Sequence, residues 1–212
     1  MSTTVHVVMP FSRPDNFPQL SAMLEPLQVQ WHLLCHDPES VAGNHPDWIH
    51  IHNVGHPPAT FDPCYWKLNW FIENGPINDG DRYHYICDDD GITPRVSQAF
   101  SRALAPVAMC SMRRGFGFPY RAIRNSDQLT RGVRRQWGNP LIASRDALAN
   151  HAWNGSVAVM GYVMRKMRFI NYHGSDRFMG KWLSECFDAE FFPCCFAYHN
   201  WFEPGRYKRP TM

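Results

Sequence analysis

Apolar residues arrive along this chain in short blocks, and the spacing within each block shifts between strand-like and helical. Residues 4–9 (TVHVVM) predict a buried first strand that Pro10 ends. Asp15 and Asn16 offer N-cap chemistry to an apolar-periodic stretch over 17–27, a short helix. Residues 29–35 (VQWHLLC) and 48–52 (WIHIH) predict the second and third strands, the latter alternating. Residues 62–74 begin with Asp then Pro and stop at Asn74–Gly75, which is helix punctuation. Residues 82–87 (RYHYIC) predict a strand that runs straight into Asp88, Asp89 and Asp90. Thr93–Pro94 open a helix through Leu104, and residues 106–112 predict a further strand. Strands alternating with helices indicate a three-layer α/β/α arrangement around a mostly parallel sheet.

The second half is less regular. Residues 113–139 hold seven arginines (113, 114, 121, 124, 131, 134 and 135) against one acid, Asp127, with Gly and Pro among them. That composition predicts a loop or short helix with mobile flanks. A strand is expected over 157–164, a helix over 175–187 capped by Ser175, and a strand over 191–197. The last 15 residues read as a polar, aromatic tail. With 212 residues and no repeat, the chain is expected to be one domain, 1–212.

Composition narrows the classes. Hydrophobic residues at 44% against 19% charged exclude a disordered chain, and 14% aromatics suit a ligand cleft as well as a core. A net charge of +2 argues against a general nucleic-acid binder. No run of 18 apolar residues exists, and the first 15 residues, with an acid and two prolines, do not read as a secretory signal; a cytoplasmic protein is the expectation. Seven cysteines without a CxxC pair read as reduced, structural thiols. His45, His50, His52 and His56 lack a following catalytic Glu in HExxH spacing, so zinc is not expected.

The chemistry concentrates at Asp88–Asp89–Asp90, at the carboxyl edge of a predicted strand, where ligands bind in open parallel sheets. Adjacent carboxylates repel. A divalent cation shared with substrate phosphates would offset that cost. An acidic turn that caps the next helix is the alternative, although three acids exceed what one cap needs.

These segments resemble GT-A glycosyltransferases, which transfer sugars from nucleotide diphosphates. ICDDDGI is similar to that family's apolar strand and DxD motif. VVMPFSRPDN resembles its opening strand and turn, LLCHD its second strand with an Asp at the tip, and KLN its basic-x-Asn helix element. They occur in the family's order. The resemblance implies a Rossmann-like GT-A fold, with a nucleotide-sugar half over 1–112 and an acceptor half over 113–212. It implies that Pro10, Phe11 and Arg13 border the nucleotide, that Asp37 reads the base, and that Lys67, Asn69 and Asp89 line the donor. Asp88 would approach the ribose or the metal shell, and Asp90 would ligate Mn²⁺ or Mg²⁺ bridging the two phosphates.

On the acceptor side, Trp153–Asn154–Gly155 and His173–Gly174–Ser175–Asp176 resemble the family's later segments. Asp176 would be the general base of an inverting transfer, although Ser175 stands where the family usually has Glu. A plain helix cap explains both residues as well. His199 would complete the metal shell, and Arg206 would grip a phosphate. The implied partners are a UDP-sugar donor and a hydroxyl acceptor, anionic if the arginines attract it. A nucleotidyltransferase is the rival, but PFSRPDN lacks that class's glycine-rich loop. A nucleic-acid-binding module ranks behind it, because clustered acids repel phosphates.

Overall fold

Two faces of one sheet explain most of the apolar pattern. The computed structural model describes residues 3–41, 43–59, 61–114, 140–151, 155–170 and 175–199. Its strands are β1 (Val5–Phe11), β2 (Gln30–Cys35), β3 (Ile49–Asn53), β4 (Arg82–Tyr85), β5 (Val107–Arg114), β6 (Val157–Met160) and β7 (Ala189–His199). They lie in the order β3–β2–β1–β4–β6–β5–β7. β6 runs antiparallel to both its neighbours, and the other strands run parallel to one another.

Helices α1 (Phe17–Leu24) and α3 (Pro94–Arg102) cover one face, where Leu20, Leu24, Val96 and Phe100 pack with Val7, Met9 and Phe11. Helices α2 (Pro63–Asn74), α4 (Arg145–His151) and α6 (Ser175–Cys186) cover the other, where Leu68, Phe71, Leu148 and Leu183 pack with Val8 and Leu34. Burial on both faces is why β1 reads as a continuous apolar run. Helix α2 starts as its sequence dictates: Asp62 caps it by accepting from the Cys64 and Tyr65 amides, with Pro63 at the first position. All seven cysteines are thiols outside any disulfide; Cys35 and Cys110 are buried, Cys186 and Cys194 exposed.

Three expectations change. β1 continues through Pro10, which pairs with Leu34. The ladder to β4 has ended at Val8, so β1 is paired on one side only there and a strand can carry a missing donor. Helix α1 stops at Leu24 and a 3-10 turn, Glu25–Leu27, follows, because Pro26 cannot continue the helical bonding. The strand expected over 157–164 ends at Met160 and becomes a helical turn, α5 (Gly161–Met164). There the Gly161 amide donates to the Asp81 carbonyl at 2.8 Å, and a Cβ at Gly161 would stand 1.9 Å from the Asn78 carbonyl oxygen. Only glycine permits that approach. Among the described residues, no helix is long and apolar enough to cross a membrane.

Imidazoles cross the amino-terminal half of the sheet. His6 bonds His32 at 2.9 Å, His32 bonds His52 at 3.0 Å, and Asp81 meets His6 at 3.3 Å. His32 is 2% exposed, and burial together with the neighbouring histidines pushes its pKa down to about 2. Its folded value therefore lies below the ordinary 6.5, and charging it costs folding free energy. Stability is full above about pH 6.5 and falls as pH drops below it. Denaturant melts between about pH 8 and 4.5 should show this acid slope, with His32 contributing up to about 1.4 kcal/mol per pH unit. His32→Gln should lower stability at pH 8 and flatten the slope; an unchanged slope would show that the ladder does not govern acid unfolding.

Candidate functional site

β1 hands the chain leftward to β2 and β3, whereas β4 begins the rightward half of the sheet. The two carboxyl ends meet at a topological switch point, the place where open α/β sheets bind ligands. The turn after β1 (Ser12, Arg13, Asn16) and the turn after β4 (Cys87 to Gly91) face each other across it.

Asp88 is buried and spends both carboxylate oxygens on the first turn. The Ser12 amide donates to Oδ2 at 2.6 Å and the Arg13 guanidinium donates to Oδ1. Asn16 is buried too, and its Nδ2 donates to the Asp88 carbonyl at 2.9 Å. Its side chain makes no cap bond to α1, so the capping role expected of it is replaced by a tie to the acidic turn. Arg13 also reaches Asp89, Nη2 to Oδ2 at 3.4 Å. Below this clamp lies Lys67, fully buried in α2, donating to the Phe11 carbonyl and to Ser12 Oγ at 2.9 Å. Burial lowers its pKa to about 8, against the pull of Asp88.

Asp90 is 0% exposed and held from two sides. The Cys87 amide donates to its Oδ2 at 3.2 Å, and His199 Nδ1 lies 2.8 Å from its Oδ1. His199 reaches it because β7 ends against the acidic turn: Gly91 and Tyr198 exchange two backbone bonds, each 2.8 Å. Gly155 leaves room for this carboxylate. Its φ of +91° is one that L side chains rarely adopt, and a Cβ there would stand 3.3 Å from Asp90 Oδ2. Asp89, 8% exposed, carries the electrostatic cost; burial and then Asp90 raise its pKa to about 7, with Arg13 opposing.

Ligand-capable atoms of Cys87, Asp89 and Asp90 lie within 4.8 Å of one another. Two carboxylates at the mouth of a crowded turn, with an imidazole on one of them, fit a divalent cation that keeps open positions for phosphate or water. Cys87 was not legible as a site residue, since a cysteine ending an apolar strand looks like one more core position.

Beside the clamp opens a cleft of about 410 Å³, bordered by Phe11, Ser12, Cys35, His36, Asp37 and His56 among others. Phe11 and Asp37 therefore face the same space. Asp37 is exposed, and its Oδ1 accepts from the Glu39 amide at 3.2 Å. Two expected donor contacts point elsewhere. Pro10 is buried inside β1. Asn69 bonds Phe169 twice, giving to its carbonyl at 2.7 Å and accepting from its amide at 2.8 Å, so it anchors the segment after α5. Asp176 is the second residue of α6, and its side chain lies outside the described part of the chain. Arg206, Trp153, Asn154, His173, Gly174 and the arginines from 121 to 135 lie outside the described residues.

No protein-family model and no curated protein matches the chain. Solved structures do. The crystal structure of S. aureus TarS 1-349 matches with a TM-score of 0.56 at 9% identity, covering 93% of this chain and 60% of that one. The same protein in complex with UDP-GlcNAc matches with a TM-score of 0.54 at 11% identity, covering 92% and 58%. This chain thus has a GT-A-type glycosyltransferase fold, as its segments led us to expect, and spans about three fifths of the TarS chains it matches.

The strain at Asp89 has a measurable sign. Its folded value of about 7 lies above the ordinary 3.8, so the ionised form is the disfavoured one. The wild-type protein loses stability as pH rises through that window, and the penalty is complete above about pH 7. Metal-free Asp89→Asn should therefore be more stable than wild type at pH 8, by a few kcal/mol at about 1.4 kcal/mol for each pH unit between the two values, with the gain shrinking toward pH 4. Chemical denaturation of both proteins across that range checks it, and a loss at pH 8 would show that the Arg13 contact outweighs the burial cost.

Proposed function

We propose that this chain is a metal-dependent glycosyltransferase that moves a sugar from a nucleotide diphosphate, with UDP favoured, to a hydroxyl acceptor with inversion. The observation that carries the reading is the acidic turn at the switch point, clamped by Arg13 and opening beside a cleft in a fold of the GT-A type. That a matching structure is a complex with UDP-GlcNAc supports the choice of donor.

In this reading the base and ribose occupy the cleft between Phe11, His36 and Asp37, and the diphosphate lies over Arg13 toward Asp89 and Asp90. Asp90, Asp89 and His199 hold a divalent ion, Mn²⁺ or Mg²⁺, whose charge offsets that growing on the departing diphosphate. Arg13 adds a planar, permanently charged donor on the same side. Asp88 keeps the ribose edge of the turn in place through Ser12 and Arg13, and Lys67 supports that turn from beneath. Arg206, in the tail, is the further phosphate contact.

Asp176 is the base. Its helix leads into β7, which starts beside the start of β5 and runs parallel to it, so α6 descends from the carboxyl edge of the sheet to its amino edge. The first residues of α6 therefore belong to the edge that carries the acids. A carboxylate there takes the acceptor's proton as its oxygen attacks the anomeric carbon.

Two measurements test this function. Asp90→Asn should weaken UDP binding about tenfold or more in Mn²⁺ and leave it unchanged in EDTA; calorimetry showing equal affinity with and without metal would refute the metal role. Asp176→Asn should reduce transfer by roughly 10²–10⁴ while donor binding and melting temperature stay near wild type. Transfer at the wild-type rate would reduce Asp176 to a cap and remove the inverting mechanism.

A further inference from the structure

The acidic turn contains one residue that an all-oxygen metal shell leaves idle. Cys87 lies two residues past the end of β4, and its amide is already bonded to Asp90 Oδ2 at 3.2 Å, which ties its position to that carboxylate. Its Sγ belongs to the group of ligand atoms, with Asp89 and Asp90, that lie within 4.8 Å of one another. A sulfur at about 2.3 Å and an oxygen at about 2.1 Å from one ion stand some 3.5–4.4 Å apart, so small side-chain rotations close the set. His199 Nδ1 lies 2.8 Å from the other oxygen of Asp90 and helps to orient that carboxylate. One sulfur and two carboxylates form a different donor set from the all-oxygen shell that Mg²⁺ favours.

We propose that Cys87 is a sulfur ligand of the cation held at Asp89 and Asp90, so that the site takes borderline and thiophilic divalent ions such as Co²⁺, Zn²⁺ and Cd²⁺ in preference to Mg²⁺. This rests on the metal-site reading above and narrows it. Without metal, Cys87 keeps its proton: its thiol bonds Cys64 at the start of α2, and that contact together with burial holds its pKa well above the ordinary value. Binding therefore displaces one proton, which leaves to solvent as the thiolate–metal bond forms. Cys64 is then the thiol that shelters Cys87 in the metal-free site.

Cobalt gives a readout separate from turnover. Metal-free full-length protein titrated with Co²⁺ should develop a near-ultraviolet thiolate-to-cobalt charge-transfer band that saturates with binding. Cys87→Ser, nearly isosteric, should fold with unchanged circular dichroism, bind Co²⁺ without that band and lose about tenfold or more of its preference for Cd²⁺ over Mg²⁺. Cys64→Ser should keep the band. Cobalt binding that depends on Asp90 but shows no band, or a band that persists in Cys87→Ser, overturns sulfur ligation and leaves the metal site standing. If Asp90→Asn binds Co²⁺ as wild type does, the metal-site reading fails and sulfur ligation at that site fails with it.

Discussion

Three consecutive buried carboxylates are tolerable only because two other segments come to meet them. Arg13 lies against Asp88 and Asp89, Asn16 takes the Asp88 carbonyl, and the end of β7 brings His199 to Asp90. Removing one partner from a buried ion pair costs about 3–5 kcal/mol, because the remaining charge is stranded away from water. The turn after β1 and the end of β7 are therefore bound to the acidic turn by electrostatic necessity. Much of the carboxyl edge of the sheet is arranged around that requirement.

The compensation is uneven. Asp88 has both its oxygens satisfied by chain donors, so it acts as a structural acid that locks two turns together. Asp89 has the longer reach of Arg13 and a weaker pull from His199, and keeps its elevated pKa. A site that leaves one carboxylate under-compensated stores free energy that a cation or another positive ligand releases on binding. Lys67 reinforces the bias from beneath, since its buried ammonium, bonded to the Phe11 carbonyl and Ser12, favours the Asp88 carboxylate.

The histidine ladder follows a different rule. There His6, His32 and His52 satisfy one another across three parallel strands without carrying charge, helped by Asp81 at the edge. A neutral ladder suits a face that packs against Phe71 of α2. The histidine ladder and the strained acidic turn thus affect stability with opposite signs as pH changes.

Much of the architecture was written in local pattern. Continuous apolar runs, the Asp62–Pro63 helix start and the alternation of strands with helices act over a few residues, so the three-layer fold and most elements were legible, whereas helix α4 was not expected and α1 and β6 end three and four residues early. The acidic turn was legible for the same reason, being three adjacent side chains. Breaks that depend on neighbours far along the chain were not. Pro10 stays in β1 because β4 ends early, and β6 becomes a helical turn because Gly161 must pass the Asn78 carbonyl. Asn69 and Asn16 look like a donor contact and a cap, but each finds its partner 100 and 72 residues away. Cys87 enters the cluster only because its own turn folds Asp89 and Asp90 back toward it. Sequence determined which residues carry charge and which strands are buried; tertiary structure decided which carboxylate is neutralised and which is left exposed to a ligand, because compensation acts through space between segments that share no local signal.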